Sequence, residues 1–477
     1  MNIFSGSQFG IAWNGLFPLL ASLFLVSFST AQAEEPPNVV IFYTDDQGTL
    51  DANCFGSDDL ITPNMDSLAE QGIRFTQAYA HTVCCPSRAA LMTGRYPQRS
   101  NVNSWTQGRT YDLVKGRNLA LAETTLAEAL SSAGYATAIY GKWHIGAHPD
   151  HGPLKQGFDE FFGLRSGFID NYNHFALHGT GSHDLFEGTR EVFQRGAYFP
   201  DLVCDRAISF IERKRGGPFF LYFPLNLPHY PEQAVKPYLD VYSSLDEPRR
   251  SYAKAVSTAD LYLGRILTAL DRFKVRDNTV ILFTSDNGHS EEDYRIKVDN
   301  HLSGMLKDEN YGANKGGGNT GKWSGAKGSF LEGGVRVPAI LSFPKKLPKG
   351  EVREQAVTIM DWFPTLLDLC GVPEPEGVAF DGGSVLPLIT DAKSPSHNGV
   401  LHWQWQKGWA VREGDWKLIA NGSFGLGCDK LPDLFLANLS EESPEATNYV
   451  ESHPEKVKTL QSLHDVWATD VFRDYPE

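Results

Sequence analysis

Two adjacent carboxylates, Asp45-Asp46, end the apolar run Val39-Val40-Ile41-Phe42-Tyr43, and a second oxygen-donor pair, Asp286-Asn287, follows Thr279-Val280-Ile281-Leu282-Phe283-Thr284-Ser285. Hard oxygen donors with no His/Cys ligand spacing beside them suit Ca2+ or Mg2+ and not zinc. Each pair alone also reads as a loop cap or a turn, because Asp and Asn bond readily to nearby backbone. Between them lies His81-Thr82-Val83-Cys84-Cys85-Pro86-Ser87-Arg88-Ala89-Ala90-Leu91-Met92-Thr93-Gly94-Arg95. Pro86 suits a first helical turn, Ala89 to Met92 are helix formers, and Gly94 is a stop. Cys84 therefore falls at or just before a helix N-terminus, where unpaired N–H groups and the dipole favour an anion. A thiol there is expected to have a lowered pKa and to be a nucleophile or metal ligand; the plainer alternative is a buried, inert cysteine.

The formal net charge of −15 argues against nucleic acid as a partner, and no Lys/Arg run offsets it. An acidic protein that handles an anionic substrate must gather its positive groups locally. The candidates are Arg88, Lys142 and His144 in Gly141-Lys142-Trp143-His144, His229 in His229-Tyr230-Pro231, and Lys327 in Gly325-Ala326-Lys327-Gly328. Singly, each reads as a solvated cation or a structural histidine.

Placing these groups together requires the elements that carry them. Val39–Tyr43, Ala136–Tyr140, Pro218–Phe223, the run from Thr279 and Val337–Phe343 read as buried strands; helices are expected from Thr62 to Glu70, Thr124 to Ser132, about Asp201 to Lys214, Arg249 to Phe273 and Pro454 to Ala468. Such alternation predicts an α/β fold with a mostly parallel central sheet flanked by helices, whose ligands bind beyond the carboxyl ends of the strands. Beyond residue 395 the texture changes. His402-Trp403-Gln404-Trp405, Trp409 to Arg412 and Trp416 to Ala420 read as short antiparallel strands, which gives a main domain over 34–395, carrying all the candidate residues above, and a smaller α+β subdomain over 396–477. Leu16 to Phe28 is apolar and precedes Ala31-Gln32-Ala33, so residues 1–33 are expected to be a signal peptide cleaved near Ala33, although no Lys or Arg precedes the run. A periplasmic or secreted protein without stable membrane insertion follows. The six cysteines are too scattered for a disulfide scaffold.

Cys84-x-Pro86-Ser87-Arg88 with Leu91-Met92-Thr93-Gly94-Arg95, together with the ordered set above and Glu332-Gly333-Gly334-Val335-Arg336-Val337-Pro338, resembles type I sulfatases of the alkaline phosphatase-like superfamily over nearly the whole mature chain. The resemblance implies that Cys84 is oxidised to Cα-formylglycine by a maturation enzyme. It also implies one divalent ion, usually calcium with magnesium as the substitute, held by Asp45, Asp46, modified Cys84, Asp286 and Asn287. In its mechanism one hydroxyl of the hydrated aldehyde attacks sulfur and the other expels sulfate. His229 would protonate the leaving oxygen with Lys327 beside it, His144 would act as base, Lys142 would orient the diol, and Arg88 would hold the ligands. A sulfated carbohydrate is the expected substrate, by similarity to bacterial polysaccharide sulfatases acting on algal galactans such as carrageenan. His174, His183 and His289 are candidate substrate contacts, with Trp105, Trp323 and the Trp403–Trp409 segment as candidate stacking surfaces. The alternatives are an arylsulfatase, a phosphonate or phosphate ester hydrolase of the same superfamily, and a non-catalytic glycan-binding relative.

Overall fold

The strand Asn38–Asp45 is buried at every residue. Val39, Ile41 and Tyr43 belong to the apolar cluster on one face of the sheet, Val40 and Phe42 to the cluster on the other. A strand's alternation sends successive side chains to opposite faces, so a run covered on both sides must be apolar throughout. The computed structural model describes residues 35–105, 118–422 and 431–473; the expected signal peptide and Cys428 lie outside the described residues. All the described strands and helices belong to the unit Pro36–Glu477.

Asn38–Asp45 lies between two parallel neighbours, Thr279–Ser285 and Phe219–Pro228. Ala136–Lys142 and Glu160–Leu164 continue the parallel series beyond Phe219–Pro228. On the opposite side, Arg336–Ser342 runs antiparallel to Thr279–Ser285 and pairs antiparallel with Ile73–Tyr79. The eleven-stranded sheet is thus mixed and mostly parallel around its centre. Parallel strands need crossovers, and the helices supply both layers. Pro63–Glu70, Phe199–Lys214 and Arg249–Arg272 contribute to one apolar cluster. Cys84–Thr93, Leu126–Ser132 and Trp362–Cys370 contribute to the other.

The C-terminal strands Val400–Trp405, Gly408–Glu413, Trp416–Ala420 and Leu434–Asn438 form a separate antiparallel sheet. Val411, Leu418 and Leu436 pack with Val457 and Leu460 of the helix Pro454–Val471. Leu401, Trp403, Trp405, Ala410 and Ile419 pack instead with Tyr79, Val83, Phe330 and Val335. Trp403 and Trp405 are buried there, and the Trp403 indole N–H donates to Ala80 O at 2.8 Å. These two indoles are core and not an exposed platform for a sugar. Among the described residues no helix is long and apolar enough to cross a membrane.

Candidate active site

Each element of the site ends where its backbone can no longer continue the sheet. Asp45 closes the first strand, and Asp46 turns out of it with φ 64, a left-handed conformation uncommon outside functional and turn positions. Ala136–Lys142 delivers Lys142 past Gly141, where a Cβ would stand 2.1 Å from Pro224 O, so only glycine fits. His144 follows, also left-handed at φ 60. His229 comes directly after the strand ending at Pro228, and Asp286-Asn287 directly after Ser285.

Cys84 is the first residue of its helix, which Gly94 ends in a left-handed cap with its N–H on Ala90 O at 2.8 Å. Ser87 ties the loop to the helix by accepting His81 N–H at 2.9 Å and donating to Val83 O at 3.2 Å. The expected lowering of the thiol pKa does not occur. Burial pushes Cys84 well above its ordinary value; Lys142 and Lys327 pull it down, while Asp286 and Asp45 push it further up. In a desolvated pocket with two carboxylates near, a helix N-terminus is not enough to favour a thiolate. The unmodified thiol is not an activated nucleophile.

The ligand atoms of Asp45, Asp46, Cys84 and His229 lie within 4.8 Å of one another, all buried. Cys84 Sγ is 3.6 Å from Asp45 Oδ1, and Lys142 Nζ is 2.5 Å from Asp45 Oδ2. Lys327 Nζ is 2.9 Å from Asp46 Oδ2, with His229 Nε2 at 3.6 Å from the same oxygen. The Asn287 amide donates to Asp46 Oδ1 at 2.7 Å. Arg88 donates Nε–H and Nη2–H to Asp286 Oδ2 at 3.1 and 2.8 Å and Nη1–H to Lys142 O at 3.1 Å. Asp286 Oδ1 in turn accepts the Asp46 N–H at 3.1 Å. Arg88 thus stands behind the carboxylates and braces them.

Burial alone would raise Asp45, yet Lys142, His229, Arg88 and Lys327 hold it well below the usual carboxylate range. Burial pushes Asp46 up to about 7 and Asp286 up to about 6, each aided by neighbouring carboxylates and opposed by neighbouring cations. Burial, then Lys327, lowers His229 well below an ordinary imidazole; burial, then Lys142 and Arg88, does the same to His144. These carboxylates resist carrying charge together without a further cation.

The donor set fits a hard divalent ion. Three carboxylates and an amide converge, and Asn287 Oδ1 is buried without a hydrogen-bond partner, an acceptor turned to no donor.

Not every candidate joins the cluster. His174 is buried with Nε2 against Ala197 O at 3.0 Å, and His183 pairs with Glu191 at 2.8 Å and stacks on Phe193 with centroids 4.1 Å apart. The structure places both within the 165–199 segment and not against the carboxylates. His289 is beside the site: its carbonyl accepts Lys327 N–H at 2.8 Å, and its ring Nδ1 is buried without a partner. The residue the motifs do not disclose is Glu292. It is buried, stands 3.2 Å from Lys327 Nζ, and is held down to about 2; burial opposes that shift, while Lys327 and His229 drive it. Its setting, Ser290-Glu291-Glu292-Asp293, reads in sequence as a solvated acidic stretch. Phe168 stacks on His229 at 5.1 Å between centroids, a contact no local pattern announces.

The sulfatase family model matches residues 37–372, and a model described as N-sulphoglucosamine sulphohydrolase, C-terminal, matches 325–431. The N-acetylgalactosamine-6-sulfatase of Canis lupus familiaris is 32% identical over 387 residues, which cover 78% of this chain and 69% of that protein. The crystal structure of Ps i-CgsB in complex with k-i-k-neocarrahexaose superposes with a TM-score of 0.76 at 28% identity, covering 91% of this chain and 93% of the other. The phosphonate monoester hydrolase of Agrobacterium radiobacter shares the fold, with a TM-score of 0.62 at 19% identity over 90% of this chain and 96% of that one.

Proposed function

The chain belongs to the sulfatase family, a sulfuric ester hydrolase, and on that premise we propose that it removes sulfate from a sulfated carbohydrate using formylglycine at position 84 and one divalent ion. The observation that carries this reading is the buried convergence of Cys84 with Asp45, Asp46 and His229 beside Lys142 and Lys327. It is a cation-lined pocket built around the Cys84 side chain.

Asp45, Asp46, Asp286 and Asn287 would hold the ion, calcium with magnesium as the substitute; when bound it would neutralise the carboxylates and polarise an oxygen of the ester. Formylglycine at position 84 would supply a hydrated aldehyde as nucleophile, which the inert thiol cannot. The remaining chemistry belongs to side chains present as encoded. Lys327 binds the sulfate oxygens, and Lys142, on Asp45 Oδ2 beside position 84, would orient the diol of the hydrated aldehyde; together they offset the negative charge that would repel a nucleophile. Arg88 keeps Asp286 in place from behind. His229 Nδ1 lies 2.6 Å from Tyr230 O, which can only accept, so Nδ1 keeps its hydrogen in both charge states; as the imidazolium, which its lowered pKa makes a strong acid, the ring gives the Nε2 proton to the leaving oxygen and returns to the neutral Nδ1–H form. His144, beside Lys142 and Asp45, takes a proton as base when sulfate departs.

The substrate class draws support from relatives that act on or hold carbohydrates: a named N-acetylgalactosamine-6-sulfatase, and a structure carrying a neocarrahexaose. Algal galactans such as carrageenan, or oligosaccharides from them, are the substrates we assign first. We further assign residues 34–395 as the catalytic domain and 396–477 as a subdomain, residues 1–33 as an export leader, and a formylglycine-generating enzyme as the maturation partner.

Two measurements test the proposal. Mass spectrometry of the tryptic peptide Phe75 to Arg88, from protein made in its own host, should show conversion of one thiol to the lighter aldehyde; wholly unmodified Cys84 would refute the nucleophile. Sulfate release should be found on sulfated galactose, N-acetylgalactosamine 6-sulfate or carrageenan oligosaccharides. A large preference for an aryl phosphate over the same aryl sulfate would sink the sulfatase reading, and turnover of aryl sulfates alone would sink the carbohydrate assignment.

A further inference from the structure

The loop that presents Lys327 is fastened from a distant part of the chain. Its middle is held by backbone: Lys327 N–H donates to His289 O at 2.8 Å, and Gly328 N–H to Thr82 O at 2.7 Å. Its two ends meet where Gly333 N–H donates to Ser324 O at 2.8 Å. Across that meeting point lies one carboxylate, Glu445, beyond the last strand of the C-terminal sheet. Glu445 Oε2 accepts Ser324 N–H at 2.9 Å, and Oε1 accepts Glu332 N–H at 2.8 Å. The residue is only 8% exposed. Glu332 is itself pinned from the same direction, its carboxylate 2.9 Å from Lys417 Nζ of the C-terminal sheet and 2.7 Å from Arg336.

We propose that Glu445 is a positioning residue for the sulfatase reaction, its carboxylate clamping both ends of the 324–332 loop and so setting Lys327 Nζ against Asp46. The proposal rests on the role assigned to Lys327 above. A carboxyl group suits the task because two N–H groups converge and each needs its own acceptor oxygen; burial and Glu332 push its pKa up to about 7, while Lys417 and the two N–H bonds pull it back. With one oxygen lost, a buried N–H is left unpaired and one end of the loop is released. The lysine's flexible stem cannot hold its ammonium in register once the backbone beneath it shifts. A sequence far from the reacting atoms thereby bears on the geometry of the anion site.

A double-mutant cycle separates this role from mere stapling of the fold. Glu445→Gln, Lys327→Ala and the double variant are assayed with p-nitrophenyl sulfate and a sulfated oligosaccharide, each rate normalised to formylglycine content by mass spectrometry. Glu445→Gln is expected to lower kcat/KM by roughly 10- to 100-fold, chiefly through kcat, as displacement of a binding group by about an ångström does. In the Lys327→Ala background the same change is expected to cost less than about twofold, because the group it positions is gone. Glu445→Asp keeps both acceptor oxygens and recovers part of the loss; if Glu445→Gln fails to fold, Glu445→Asp takes its place in the cycle. An equal loss in both backgrounds, or a folded Glu445→Gln enzyme with wild-type kcat, overturns the proposal. Wild-type turnover in Lys327→Ala alone refutes the role of Lys327 and the clamp with it, while leaving the sulfatase reading untouched.

Discussion

Replacing His229 with alanine should produce a loss that depends on the leaving group. Tyr230 O fixes the ring by accepting from Nδ1 at 2.6 Å, so Nε2 is the nitrogen that holds or releases the catalytic proton. The nearest alternative donor is Lys327. Burial pulls its pKa down, but Asp46 and Glu292 oppose that and hold the ammonium above its usual range. An ammonium is a weaker acid than an imidazolium and gives up its proton less readily in the transition state, so Lys327 is a poor substitute for the imidazole. A sugar sulfate should then lose the full general-acid contribution, about 10²- to 10⁴-fold in kcat. At 1.36 kcal/mol per decade that is ~2.7 to 5.4 kcal/mol of barrier. A simple phenol ionises near ~10, whereas an alcohol behaves more like bulk water at ~16. A nitrophenyl leaving group is a better one still, and needs little protonation in the transition state; it should lose less than about tenfold. The assay pairs nitrophenol absorbance with chromatographic sulfate release from a sulfated monosaccharide, for wild type and His229→Ala matched in formylglycine content. Equal loss on both substrates would refute proton donation by His229 and leave it a binding residue.

Removing the metal should lower thermal stability as well as activity. Asp45, Asp46 and Asp286 are buried together, so an ion that binds only the folded state raises the unfolding midpoint by mass action, and chelation should reverse that until Ca2+ is restored; a midpoint indifferent to chelator and to Ca2+ counts against the site. Lys417→Met should cost about 3 kcal/mol in urea unfolding, the lower end for breaking a buried pair, because Lys417 and Glu332 are both fully buried at 2.9 Å while Arg336 still partners the carboxylate. A loss under about 1 kcal/mol would show that Arg336 alone suffices. His397 makes a pH-dependent contribution: its hydrogen bond to Asp361, 2.9 Å long, raises the imidazole pKa against partial burial. The folded state therefore binds this proton more tightly. The stabilisation is whole below the unfolded value of ~6.5 and disappears as pH rises through the folded one. The stability gap between wild type and His397→Gln should narrow over that rise, and a gap that widens would refute the assignment.

Local rules govern the part of this protein that is legible along the chain. Apolar runs covered on both faces must be strands of an internal sheet, and polar residues close after them must lie at its carboxyl edge; Asp45, Lys142 and Asp286 are readable for that reason, whereas His229 meets that edge because its strand, expected to end at Phe223, runs on to Pro228. The Thr125 cap is equally local, with its hydroxyl and Glu128 bonded reciprocally at 3.1 and 2.7 Å. The ordered motif around Cys84 supplies the chemistry. Ile73–Tyr79 is not announced as a strand because its burial alternates imperfectly, its pairing with Arg336–Ser342 being set by a partner more than two hundred residues away. The helix position of Cys84 is readable, but the rise in its pKa is not, since that depends on which carboxylates fold over it. Trp403 and Trp405 are ambiguous for the same cause: an indole beside a loop is platform or core according to what covers it, and here Tyr79 and Val83 belong to the covering cluster. Glu292 and Glu445 sit in polar stretches that look solvated along the chain. Folding alone puts one against Lys327 and the other across the ends of the loop that carries it. Periodicity records whether a residue is buried, and the identity of its partner is a long-range property that no window of sequence contains.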